Sequence, residues 1–261
     1  MRAPVLTHVL RTELRSTLLW SAAVALVAGL YTSAFTAIAG SKADAVGNLP
    51  QGLVSALDLG AIGTPAGYLA STVYGILGPA LLLVFAVTRG ARLLAGQEED
   101  GTLELELTHP VARGRVYAER WVATVVMATW LVVVLTVAVL LAGRVIGLRV
   151  GVGDVLAGSA GLLLLVLAIG TVAFAAGAVT GRRATALAAG AGLGVASYVA
   201  NALGVSVGLP WLVRVSPWSW YLGAQPLTNG VDVAGLVELA VLGGIATGLG
   251  VVVFRQRDLR T

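Results

Sequence analysis

The sequence predicts an all-α membrane protein with six transmembrane helices, on three observations. Mean hydropathy is +0.91, and of 261 residues 57% are hydrophobic and 11% charged. Runs of 18 or more mostly apolar residues recur along the chain, and about 20 helical residues cross the ~30 Å hydrocarbon core of a bilayer. The runs are solidly apolar instead of alternating every second residue, as barrel strands would. In lipid only helices or a closed barrel pair every backbone N–H and C=O, so helices remain.

The elements follow in order. Residues 4–15, PVLTHVLRTELR, open with Pro4, which suits a first helical turn. Val5, Leu6, Val9, Leu10 and Leu14 share one helical face, and Arg11, Thr12 and Arg15 the other. That predicts an N-terminal amphipathic helix on the membrane surface. Span one is expected over 17–38; its length and the residues before it argue against a cleaved signal segment. Span two is expected over 68–88, and spans three, four and five over 120–143, 154–178 and 184–205. Residues 210–229, PWLVRVSPWSWYLGAQPLTN, carry Trp211, Trp218, Trp220 and Tyr221, types that favour the headgroup level. Pro210, Pro217 and Pro226 break that segment, so one or two short outer-leaflet helices are expected between spans five and six. Span six is expected over 232–254. Glu238 lies within it, a candidate intramembrane polar site, unless the span begins a turn later and leaves it at the wet boundary. Gly143/Gly147, Gly190/Gly194 and Gly244/Gly248 have the four-residue spacing of close helix contacts, although 34 glycines also produce it by chance.

Charge is concentrated. Arg89, Arg92, Glu98, Glu99, Asp100, Glu104, Glu106, Arg113, Arg115, Glu119 and Arg120 fall within 32 residues of a chain with 17 basic and 13 acidic side chains. With six spans both termini share a side. Thirteen of the basic residues fall there, this knot's included, and four opposite, Lys42, Arg144, Arg149 and Arg214. The excess of basic loops predicts cytoplasmic termini and a cytoplasmic knot between spans two and three. The stretch EEDGTLELELTHP reads as a strand by Leu103, Leu105 and Leu107 alternating with Glu104 and Glu106. It also reads as a short helix, because Leu and Glu are helix formers, Pro110 is a stop, and an isolated strand here lacks a partner. The acids Glu98 to Asp100 suit a helix N-terminus, so the helix is preferred.

Enzymatic readings fall away. GVSVG at 204–208 matches the Gly-x-Ser-x-Gly pattern, but His8 and His109, the two histidines, lie on the other side of the membrane from Ser206. The one lysine, Lys42, stands outside any G-x-x-x-x-G-K-[ST] motif, so this chain has no P-loop of its own. No metal site is expected, since His, Cys and carboxylates do not cluster with ligand spacing and cysteine is absent. Scattered arginines argue against a nucleic-acid surface.

The order of the knot resembles that of a known family's loop. Residues 97–121, QEEDGTLELELTHPVARGRVYAERW, resemble the cytoplasmic loop of ABC-2 type permeases, the membrane subunits of ATP-binding-cassette exporters. The matching positions are Glu98, Gly101, Thr102, Glu104, Leu107, Pro110, Val111, Ala112 and Arg113, with Glu106 standing where the family pattern has an apolar residue. Residues 49–75 resemble actinobacterial members that export polyketide-type antibiotics. The resemblance implies one transmembrane domain over 1–261 in the plasma membrane of a bacterium, moving a hydrophobic or amphipathic substrate outward. It implies a coupling helix that contacts a separate P-loop ATPase through Glu98, Glu99, Asp100, Gly101, Thr102, Leu103, Glu104, Leu107, Pro110 and Arg113. Two ATPase copies would bind ATP and Mg, this chain holding no cofactor, and two permease chains would pair as a homodimer or heterodimer. A helical scaffold without a transport path, and an ion-driven transporter, are the alternatives.

Overall fold

The computed structural model describes residues 4–37, 64–102 and 112–257. Its elements are α1 (Pro4–Ser33), α2 (Pro65–Glu99), α3 (Arg113–Val145), α4 (Val152–Thr180), α5 (Arg183–Val207), α6 (Pro210–Arg214), α7 (Pro217–Leu222), α8 (Pro226–Asn229) and α9 (Val233–Gln256). Among the described residues six helices are long and apolar enough to cross a membrane: α1, α2, α3, α4, α5 and α9. Expected spans two to six each lie within one of them to about a residue, and span one, expected to 38, overruns the Ser33 end of α1.

The bundle is built around α4. Its sequence, AGSAGLLLLVLAIGTVAFAAGA, carries small residues on several sides, which in lipid mark the faces where neighbouring helices approach closely. Accordingly α2, α3, α5 and α9 pack against it, while α1 lies outside on α3. Small residues set the spacing. A Cβ on Gly90 of α2 would stand 2.7 Å from the Gly170 carbonyl oxygen of α4, and one on Gly190 of α5 would stand 2.7 Å from Ala173 Cβ. With no water to expel between helices in lipid, such close backbone approach supplies much of the attraction. Of the expected glycine pairs, Gly190 is inside the bundle, whereas Gly244 and Gly248 face open space.

At 35 and 33 residues, α2 and α3 run roughly 50 Å each, about 20 Å more than the hydrocarbon core. Their charged stretches, Arg89 to Glu99 and Arg113 to Arg120, supply that surplus. Two π-helical turns, Val73–Leu77 and Arg92–Gly96, interrupt the α geometry of α2.

Three expectations are corrected. Residues 4–15 form no separate surface helix: α1 runs unbroken from Pro4 to Ser33. The intervening Ser16 and Thr17 do not break it, and Thr17 bonds its hydroxyl back to the Glu13 carbonyl at 2.9 Å, so nothing frees the chain to turn. The acids Glu98 and Glu99 do not begin a helix. They are the last turn of α2, which ends where Gly101 takes φ +70°. Finally, the segment after α5 makes three short helices, each opened by one of its three prolines, whose fixed φ suits a first turn. Trp211 is 62% exposed as an interfacial residue should be, but Trp218 and Tyr221 are buried. Tyr221 Oη donates to the Tyr74 carbonyl at 2.9 Å and Ser216 Oγ to the Ser197 carbonyl at 2.6 Å, folding the segment back onto the bundle.

Candidate functional site

Five of the six membrane helices bring charged or polar groups to the knot. From α1, Glu13 accepts a hydrogen bond from the Arg89 guanidinium of α2, which also reaches Ser16 Oγ. This pair is largely out of water, with side chains 11% and 8% exposed, and Arg89 lies over the Phe85 ring at 5.5 Å. The start of α1 is fixed from α3: the Leu6 amide donates to Glu119 Oε2 at 3.0 Å, and Arg115 Nε holds Glu119 Oε1 at 2.8 Å. A carboxylate that meets a helix's first free N–H groups is favoured by the dipole as well as by the hydrogen bond. Arg120 is fully buried, and its guanidinium donates to the Leu93 carbonyl within the second π turn of α2.

Two acids of the knot reach across to other helices. Glu98 Oε2 pairs with Arg257 at the end of α9, the carboxylate side chain being 3% exposed. Glu99 Oε1 accepts the backbone N–H of Arg183, the first residue of α5, at 2.9 Å. Arg113, where the chain re-enters α3, donates Nη1 to the Arg257 carbonyl at 2.7 Å. Beneath lies an aromatic seat shared by three helices: Tyr117 of α3 packs edge-on to Phe174 of α4 at 4.9 Å and against Phe254 of α9 at 5.9 Å.

Of the residues named from sequence, Glu98, Glu99 and Arg113 come together here. Asp100, Gly101 and Thr102 follow directly, with Gly101 and Thr102 exposed and Thr102 Oγ1 donating to the Gln97 carbonyl at 3.1 Å. Leu103, Glu104, Leu107 and Pro110 lie outside the described residues. Glu238 sits apart, on an exposed face of α9 near the opposite end. Sequence reading missed Glu13, Gly181, Arg183 and Arg257 as members of the site. A basic run closing the last span was the visible signal for Arg257, but its partner lies 159 positions away. The described chain ends both reach this junction, Leu6 on Glu119 and Arg257 on Glu98, as an even number of crossings requires.

A second feature is apolar. Leu83 and Val87 of α2, Leu187, Val195 and Tyr198 of α5, and Trp218 of α7 line a groove of about 410 Å³ that is nearly without polar surface.

The charged end therefore ties α1, α2, α3, α5 and α9 together through ionic and hydrogen-bonded contacts. A search of curated protein sequences finds no match. The family described as "ABC-2 family transporter protein" matches residues 4–259, and its members work with ABC ATPase partners. By six apolar crossings and a match over nearly its whole length, the chain belongs to the ABC-2 transporter family and is a multi-pass permease of an ATP-binding-cassette transporter.

Proposed function

We propose that the chain exports a hydrophobic or amphipathic, antibiotic-like small molecule across the bacterial plasma membrane, driven by ATP hydrolysed on a separate P-loop ATPase. The knot faces the cytoplasm, and the turn between α2 and α3 is the docking element. Asp100, Gly101, Thr102, Leu103, Glu104, Leu107, Pro110 and Arg113 meet the ATPase, while Glu98 and Glu99 serve from within the chain. ATP and Mg are held by two copies of that partner, and two permease chains, alike or related, flank the substrate path. The observation that carries this reading is the convergence of five membrane helices on the base of one turn. A loop that only joined two spans has no need of such anchoring. The apolar groove between α2 and α5 supports the class of cargo, since it offers dispersion contacts and almost no hydrogen bonds.

The experiment is to purify the tagged chain from its native membrane, identify co-purifying P-loop proteins by mass spectrometry, and compare ATPase rates with and without the permease. A stoichiometric ABC ATPase is expected, stimulated by the wild-type chain and not by Leu103→Asp/Leu107→Asp. A monodisperse complex free of any P-loop protein overturns the proposal.

A further inference from the structure

We infer that the buried Glu98–Arg257 ion pair is a latch that carries movement of the α2–α3 turn into α9, the last membrane helix. The inference rests on the ATPase-coupling reading above and names the positioning residues that reading needs.

Both ends of the turn grip the same residue. Glu98 lies in the last turn of α2, just before the turn begins, and binds the Arg257 guanidinium. Arg113 lies where the turn re-enters α3 and binds the Arg257 main-chain carbonyl at 2.7 Å. Arg257 in turn closes α9, its own N–H donating to the Val253 carbonyl at 2.9 Å. The pair is seated on the end of the central helix: a Cβ on Gly181 would stand 2.5 Å from Glu98 Oε1 and 2.6 Å from Arg257 Nη1. Gly181 has φ +64°, so a glycine both ends α4 and leaves room for the charges.

Burial strengthens the grip of this pair. The side chains are 3% and 17% exposed, so water does not screen them as it would a surface pair. Along its length α9 packs on α4 by one face only, while Val237, Val241, Ile245 and Leu249 face outward. A helix packed on one side and clamped at its end follows the clamp. Burial of two charges contributes little to stability by itself, and replacing both by neutral groups is often neutral or better. That asymmetry separates a structural role from a transmitting one.

The test uses the full complex of permease and co-purified ATPase. The chain lacks cysteine, so one introduced thiol reports one place. Val233→Cys marks the far end of α9 and Val145→Cys the far end of α3, both at strongly exposed positions. Maleimide labelling rates are compared without nucleotide and after trapping with ATP, Mg and vanadate. In the wild-type background both sites change rate. In Glu98→Gln/Arg257→Met the ATPase is still captured and the α3 reporter keeps its change, but the α9 reporter loses its own. A wild-type-sized change at the α9 reporter in the double variant overturns the latch and leaves the pair a structural contact. If the double variant does not accumulate, Glu98→Asp carries the test, because it keeps the charge and shortens the reach by one methylene; an undiminished response of the α9 reporter there overturns the latch equally. Failure of the wild-type chain to capture any ATPase is a different result and removes the coupling reading itself.

Discussion

Gly90→Ala tests whether close backbone contact holds the bundle together. The new Cβ would lie 2.7 Å from the Gly170 carbonyl oxygen and 3.1 Å from the Phe174 nitrogen, where ordinary contact begins at 3.4 Å. Neither neighbour is the tip of a flexible side chain, so α2 and α4 must part locally by about 0.7 Å, the difference between 3.4 and 2.7 Å. A gap of that size forfeits a quarter to a half of each dispersion contact across the seam, each worth about 0.1–0.2 kcal/mol. A few tens of atom pairs then lose about 1–2 kcal/mol, inside the ~1–3 kcal/mol typical of overpacking. In water the gain in helix propensity from Gly to Ala, about 1 kcal/mol, would offset much of this. In a bilayer the dissociated helices stay helical, so little of that gain counts toward packing. Gly244→Ala is the control, because nothing lies within 4 Å of its Cβ. The assay is reversible unfolding in mixed micelles with rising mole fraction of denaturing detergent. Gly90→Ala should lose about 1–3 kcal/mol and Gly244→Ala stay within about 0.5 kcal/mol of the parent. Equal effects at the two positions would refute the argument.

Three further outcomes follow from the junction. Glu13→Ala strands the buried Arg89 and should cost about 3–5 kcal/mol, whereas Glu13→Gln keeps an acceptor and should cost about 1.5–3 kcal/mol; the same unfolding assay orders them. Gly181→Ala puts an L side chain in the left-handed region at φ +64° and on top of Glu98, so a loss of at least about 1–2 kcal/mol is expected, with retained wild-type stability counting against the observed contact. Single cysteines at the exposed positions Arg11 and Arg182, near the junction, should resist a membrane-impermeant maleimide in whole cells, while one at Arg149 reacts; the reverse pattern would invert the membrane orientation.

The crossings were legible because lipid makes hydropathy nearly sufficient. A run such as 154–178 admits one structure in hydrocarbon, and α4 is there to within two residues at either end. Helix ends outside the apolar slab were harder, because no solvent change marks them. So α2 continues past residue 88 to Glu99, and α1 begins at Pro4 rather than after a break near Ser16. The aromatic segment misled in part: Trp and Tyr favour interfaces, yet Trp218 and Tyr221 find buried packing on neighbouring helices and, for Tyr221, a carbonyl partner. Glycine spacing alone did not separate the packed Gly190 from the open Gly244, since the two differ only in what the rest of the fold brings near them.

The acids of the knot carry the same lesson one step further. Their charge argues for a helix N-terminus, because a carboxylate is favoured there by about 0.3–1 kcal/mol and disfavoured at a C-terminus by a similar amount. Glu98 and Glu99 stand at the C-terminus of α2, against that preference. What offsets it comes from other helices. Glu99 accepts the first N–H of α5, so it does sit at a helix N-terminus, though not that of its own helix. Glu98 takes the cation that closes α9. Both contacts require three helix ends to stay together, and the electrostatic discomfort of α2 alone turns their separation into a cost. A junction held this way resists separation of the ends of α2, α5 and α9, because parting any one of them strands a carboxylate or its partner.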